Sequence, residues 1–308
     1  MDKQTQSQQF HHVGIICRPD DPSILPTLNS LCRLITAQQC DYTLEAQNLA
    51  DQLPGSVPVM TREQIGRQCD LIIVIGGDGT LLDTGRAMSQ YNIPVLGVNL
   101  GRLGFLVDVS PAEMAQKIPE ILAGHYIEEA RTLLRADISH NGDPLFSGKA
   151  LNDIVVHKIN VARMIEFDVY INSRFVYTQR SDGLVIATPT GSTAYALSGG
   201  GPILHPTLDA ITLVPICPHT LTNRPIAIGT DSVIEIRETA KRAGHGPATG
   251  IQISCDGQLH HQAKAFEKIM VRVIDEKLRL IHPQDYDYYQ LLRAKLNWAT
   301  QHYPQQEG

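Results

Sequence analysis

Residues 71–75 read Leu-Ile-Ile-Val-Ile and stop at Gly76-Gly77-Asp78-Gly79-Thr80. Five consecutive apolar, mostly β-branched residues leave no face for water, which fits a strand covered on both sides in a parallel sheet. Parallel neighbours need crossover helices, and the flanking sequence supplies the parts. Residues 13–17 form a second short apolar run, and Ile24, Leu28, Leu31 and Ile35 recur at helical spacing. Residues 81–91 suit a helix and 93–98 another strand. Ser110, Pro111 and Glu113 stand at the N-cap, first and third positions of a predicted helix running towards Ala123. This alternation defines an α/β layer over about the first 125 residues.

The pattern changes after Arg131. Asn141-Gly142 is a hairpin turn signal. Ile165, Phe167, Val169 and Ile171 alternate with Glu166, Asp168 and Tyr170, the period-two signature of a half-buried strand, and Asn172-Ser173 reads as a turn into 175–177. Residues 233–237, 251–255 and 269–274 also read as strands. Long helical patterns are missing between 131 and 275, so a second, all-β domain is predicted, and 285–298 returns to a helical pattern. The predicted boundaries are 1–128 for an α/β Rossmann-like domain, with the tail 281–308 packing back on it, and 129–280 for an all-β, β-sandwich-like domain.

At 308 residues the chain is long enough for two such cores. Its formal charge of −6 gives no electrostatic case for nucleic acid or an anionic membrane. No stretch approaches ~18 consecutive apolar residues, which speaks against a membrane span, and the polar N-terminus has no apolar signal segment. The six scattered cysteines form no C-x-x-C pair and read as thiols in a reducing compartment. A cytoplasmic location is expected.

Several segments carry chemistry. Glycines at 76, 77 and 79 let main-chain N–H groups approach an anion, and a nest of such groups holds phosphate without net positive charge. The loop is neither a Walker A motif nor G-x-G-x-x-G. Asp78 among those amides serves as a base, holds a cation, or simply caps the helix. A second glycine-rich loop, 99–106 (Asn-Leu-Gly-Arg-Leu-Gly-Phe-Leu), ends the next predicted strand, where Arg102 either meets phosphate or lies on the surface. Asn152-Asp153 offers donors and acceptors for vicinal ribose hydroxyls, or is a polar turn. Residues 180–202 are rich in glycine and small hydroxyl residues with few large apolar anchors, which suits the lining of a polar ligand site more than a core. There Tyr195 could stack on a base. Residues 255–258 (Cys-Asp-Gly-Gln) are a shorter candidate that also reads as a β-turn with Asp256 and Gly257 at its tip. The histidines show no metal-ligand spacing.

Taken together, segments 76–80, 99–106, 152–153, 164–167, 180–202 and 213–221 resemble the NAD kinase family in its bacterial form, over roughly residues 70–285. The glycine loop alone is shared with lipid kinases and phosphofructokinases; the run 182–202 is far more specific. The resemblance implies an NAD kinase fold, an α/β domain and a β-sandwich-like domain with a ligand site between them. It implies ATP as donor, NAD as acceptor, a divalent metal (Mg²⁺ or Mn²⁺) carried by the ATP phosphates rather than by protein side chains alone, and a homo-oligomer, dimer or tetramer. By position, Asp78 matches the family's proposed catalytic base. Gly76, Gly77, Gly79, Thr80, Asn152, Asp153, Arg163, Arg180, Asp182, Thr193, Ala194, Tyr195, Ala196, Leu197, Ser198 and Gln258 match nucleotide-binding positions. Asp153 stands where many relatives carry glutamate, and Arg163 where some carry histidine. The rival readings are a lipid or sugar kinase with the same glycine loop, an NAD-dependent oxidoreductase, and a non-catalytic nucleotide sensor.

Overall fold

The computed structural model describes residues 5–6, 9–18, 21–101, 103–159, 164–220, 222–239, 251–263 and 267–298. The chain divides into two compact units. The first comprises Met1–Thr84, Ile93–Glu129 and Arg279–Gly308, and the second Gly85–Asn92 and Ala130–Leu278.

The first unit is built on a parallel sheet. Asp41–Leu44, His12–Cys17, Leu71–Ile75 and Pro94–Val98 lie side by side in that order, and the end of the strand Lys268–His282 joins through Arg279 and Leu280 opposite Pro94 and Val95. Leu71–Ile75 is buried at every position, as its unbroken apolar run requires. The helix Leu25–Ala37 turns Leu28, Leu31, Cys32 and Ile35 into the core. The helix Arg62–Gln68 comes so close to the sheet that a Cβ on Gly14 would lie 2.4 Å from Cγ2 of Ile65. The tail forms the helix Tyr288–Leu296, capped by the Asp287 carboxylate on the Tyr289 N–H and burying Leu291 and Leu292.

Two boundaries differ from the sequence reading. Glu113 does bond back to the Ser110 N–H and hydroxyl, but 111–113 form a tight turn closed by Glu113 N–H on the Ser110 carbonyl, and the α-helix starts at Met114. The strand read as 269–274 runs to His282, paired beyond that stretch with Tyr126–His140 and Pro94–Val98, and Glu276 in its polar stretch is held by Lys149 and by the Ser89 hydroxyl.

The second unit is a β-sandwich. One sheet orders Ile226–Gly229, Ala210–Ile216, Gly183–Ala187, Asp153–Lys158, Ile251–Cys255 and Leu259–Ala263, every pair antiparallel. Across the core lie Arg174–Ser181, Ile165–Ile171, Val233–Glu238 and the start of Lys268–His282. Ile154, Val156, Leu184, Ile186 and Ile253 from the first sheet meet Ile165, Phe167, Ile234 and Val271 from the second in one apolar cluster. Period two then sends the intervening residues of the first sheet to its opposite face. The turns at Asn141-Gly142 and Asn172-Ser173 have positive φ at both positions, as tight hairpins demand. Among the described residues the unit's helices are short: the end of Asp78–Met88 and the four-residue Tyr195–Ser198.

Gly14→Ala is expected to destabilise the protein by about 1–3 kcal/mol through overpacking against Ile65. Urea denaturation followed by tryptophan fluorescence checks it; an unchanged midpoint would show that the helix Arg62–Gln68 shifts freely.

Candidate active site

In the first unit the strand Leu71–Ile75 feeds through Gly76 and Gly77 into a helix that begins at Asp78. None of Gly76, Gly77 and Gly79 has a positive φ, so unusual backbone angles are not what this loop needs. Space is: a Cβ on Gly76 would sit 2.7 Å from the Thr80 hydroxyl, while Gly77 faces open space. A pocket of about 170 Å³ lies here, lined by Gly76, Gly77, Gly79 and Thr80 together with Arg18, Asp21 and Leu100. A helix N-terminus with an exposed arginine beside it suits an anion. Arg18 escaped the sequence reading because nothing in its neighbourhood marks it.

Asp78 does not line that pocket; its carboxylate is held by the second glycine loop. Oδ2 accepts the Phe105 N–H at 2.9 Å and Oδ1 accepts the Leu106 N–H at 3.0 Å. A Cβ on Gly104 would fall 2.1 Å from Asp78 Oδ1, so the loop reaches the carboxylate only with glycine there. Asn99 shapes the loop's start by accepting the Gly101 N–H at 2.8 Å. The 99–106 segment thus orients Asp78. Arg102 and Arg163 lie outside the described residues.

In the second unit a cleft of about 530 Å³ opens on the face of the six-stranded sheet that points away from the sandwich core. Asp153, Val155 and His157 line it from alternate positions of one strand, and Asn152, Asp182, Ala194 and Tyr195 complete it with Lys158, Ser254 and Asp256. Lys158 Nζ lies 2.6 Å from Asp182 Oδ1. Asp153 is 5% exposed; burial, and then the negative charge of Asp256, push its carboxyl up to about 7. The cleft therefore offers an aromatic ring, an amide and carboxylates, groups that can hold a base and sugar hydroxyls.

Six of the positions singled out from the sequence are not among the residues lining this cleft. Thr193 donates its hydroxyl to the Thr190 carbonyl, and Ala196 packs with Val155, Val185 and Val214. Leu197 and Ser198 lie on the short helix Tyr195–Ser198, Arg180 is exposed on the strand Arg174–Ser181, and Gln258 accepts from Arg86. The expectation that 180–202 buries little is corrected: 183–192 are all buried, and their hydroxyls knit loops together. Thr188 donates to the Leu151 carbonyl at 2.6 Å, and Ser192 Oγ accepts the Leu204 N–H at 2.9 Å. A Cβ on Gly191 would lie 2.0 Å from the Asn152 carbonyl oxygen. Small residues here allow close packing of three loops. Lys158, Ser254, Ile216 and Arg86 carried no local signal, since cross-strand register and a helix turn bring them to the site.

The chain thus combines an α/β unit that has a glycine loop at a strand tip with a β-sandwich unit that has a polar cleft. Residues 13–126 match the ATP-NAD kinase N-terminal domain and residues 151–283 the ATP-NAD kinase C-terminal domain. The NAD kinases of Pseudomonas putida and Pseudomonas entomophila are each 46% identical over 294 residues, covering 95% of this chain and 97% of theirs. The chain belongs to the ATP-NAD kinase family. The fold is shared with yeast NADH kinase complexed with NADH (TM-score 0.84, 24% identity, 96% of this chain and 90% of that one). It is shared too with an NAD kinase from Archaeoglobus fulgidus in complex with ATP (TM-score 0.71, 23% identity, 93% and 98%).

Two outcomes follow from this geometry. Gly104→Ala is expected to displace Asp78 or its loop and to lower phosphoryl transfer on the order of a hundredfold, as steady-state assays would show; near-normal activity would mean the orientation is dispensable. Asp153, with its folded-state value raised from 3.8 to about 7, keeps a proton in the folded state that the unfolded chain has lost. Its contribution to stability therefore falls as pH rises from about 4 to about 7 and stays low above that. Asp153→Asn is expected to gain more stability at pH 8 than at pH 5 in thermal melts, and an equal change at both would contradict the shift.

Proposed function

We propose that the chain transfers the γ-phosphoryl group of ATP to the 2′-hydroxyl of the adenosine ribose of NAD, giving NADP and ADP. The observation that carries the reading is family membership spanning both units, joined to a carboxylate fixed at the tip of the glycine loop. In this reading residues 129–280 bind NAD. Asn152 and Asp153 hold a ribose, and Tyr195 lies against a base. The 76–80 loop and Arg18 receive the triphosphate.

Phosphoryl transfer depends on alignment and charge neutralisation. The 2′-oxygen attacks the γ-phosphorus, the bond from that phosphorus to the β–γ bridging oxygen breaks, and the hydroxyl proton passes to Asp78. Fixed orientation supports Asp78 in this role: each carboxylate oxygen accepts one main-chain N–H and keeps lone-pair capacity for another donor. The described residues hold no group of three or more His, Cys, Asp or Glu side chains that could cage a metal. The proposal includes a Mg²⁺ or Mn²⁺ ion carried on the phosphate oxygens of ATP, which needs only one or two protein ligands. Asp21 and Thr80, both lining the glycine-loop pocket, are side-chain oxygen donors that would hold it. Such an ion would neutralise charge on the transferring group.

No described helix is long and apolar enough to cross a membrane. The proposal includes a cytoplasmic homo-oligomer, dimer or tetramer.

Pure protein given ATP, Mg²⁺ and NAD should form NADP, detected with an NADP-specific dehydrogenase; NAD left unphosphorylated while ATP is turned over onto a lipid or sugar would defeat the reading. Asp78→Asn is expected to lower kcat about 10²–10⁴-fold with NAD binding retained. Recovery of activity at raised Mg²⁺ would instead make Asp78 a metal ligand.

A further inference from the structure

The Asp256 side chain is fully buried, in the turn between the strands Ile251–Cys255 and Leu259–Ala263. Such a carboxylate is stable only if its oxygens are satisfied. Oδ2 accepts from Arg86 Nη1 at 2.6 Å and from the Leu151 N–H at 3.0 Å; Oδ1 accepts the N–H groups of Asn152 at 2.7 Å and Asp153 at 3.2 Å. Arg86, itself buried, donates from its other terminal nitrogen to the side-chain amide oxygen Oε1 of Gln258 at 2.5 Å, so its fork grips two side chains of the turn. The Asp256 N–H returns a bond of 2.9 Å to the Asp153 carbonyl. From the opposite side Thr188 takes the Asn152 carbonyl with its N–H at 2.9 Å and the Leu151 carbonyl with its hydroxyl.

A buried ion pair contributes little net stability relative to apolar residues of similar volume, so stability alone does not account for this arrangement. Its effect is geometric: every main-chain N–H from 151 to 153 is tied to one carboxylate. We infer that Arg86 and Asp256 are positioning residues for the phosphoryl acceptor, fixing the 151–153 main chain so that the Asn152 and Asp153 side chains meet the ribose of NAD. This rests on the reading above, in which the cleft of the second unit holds NAD. Arg86 does not line that cleft, so it acts through Asp256. Arginine suits the role because its planar fork presents two terminal nitrogens in fixed directions, whereas a lysine offers a single rotatable ammonium.

The test uses the full chain as wild type, Arg86→Met, Asp256→Asn, the double variant and Arg86→Lys, with NAD and ATP varied in turn. Each single variant is expected to lose on the order of tenfold to a hundredfold in kcat/KM for NAD while KM for ATP stays put. The double variant is expected to lose no more than the worse single one, the mark of residues acting as a unit. Arg86→Lys keeps the charge and is still expected to lose NAD affinity. Wild-type kcat/KM for NAD in the variants, or equal losses for NAD and ATP that track a lowered melting temperature, would overturn the inference. Should the single variants fail to fold, the double variant, with no unpaired buried charge, must show the same NAD-selective loss. A crystal structure of the wild type with NAD decides the matter without substitution. Asp256 holding 151–153 with Asn152 and Asp153 on the ligand supports the inference, and a ligand lying away from both refutes it. If the wild type makes no NADP, the kinase reading fails and the inference falls with it; an active wild type with indifferent variants refutes the inference alone.

Discussion

A carboxylate with no solvent contact has to be answered completely or it unfolds what surrounds it. Asp256 meets that condition with one guanidinium and three main-chain N–H groups. Burying an ion costs several kcal/mol, and the cost is offset only when geometry is good and every lone pair is used. The residues around Asp256 therefore have little latitude. The turn 255–258, the segment 151–153 and the start of 188–192 share one hydrogen-bond network, and the cleft's polar wall is an edge of it. Burial, and then the same negative charge, lift the Asp153 carboxyl towards neutrality. The network shapes the wall, and its charge adds to the effect of burial on Asp153.

The glycine loop of the first unit follows a similar logic. Asp78 is oriented by two main-chain N–H groups, and the loop supplying them reaches it because Gly104 has no side chain. Glycine acts here through the space it leaves, since the 76–79 glycines have ordinary φ values. Each unit thus places an acid by tying it to a backbone segment, a more rigid support than another side chain because main-chain N–H groups carry no rotamer freedom.

Much of the architecture was legible along the chain. An unbroken apolar run became the buried strand Leu71–Ile75, and strict alternation became Ile165–Ile171 with Ile165, Phe167 and Val169 inside. Asn-Gly and Asn-Ser became tight turns with positive φ. Ends of elements were less legible. The strand read as 269–274 continues through a polar stretch to His282, where Lys149 bonds Glu276, and Ser110–Glu113 satisfied a capping pattern without beginning an α-helix. Small hydroxyl residues in 180–202 looked like ligand-facing groups, yet Thr188 and Ser192 spend their hydroxyls on neighbouring loops. A local pattern reports a residue's preference, and its partner is chosen from residues far away in sequence.

By itself the sequence determined the two kinds of unit, the glycine loop with its acid, and the family, because these depend on periodicity, on residue size and on motifs contiguous along the chain. Tertiary structure alone decided which polar groups face a cleft. Strand register sent Asp153, Val155 and His157 to one side and Ile154 and Val156 to the other. It also brought Arg86 to Asp256, 170 positions along the chain. The physical reason is that burial and charge pairing are properties of three-dimensional neighbours, and a one-dimensional string records them only where those neighbours are adjacent.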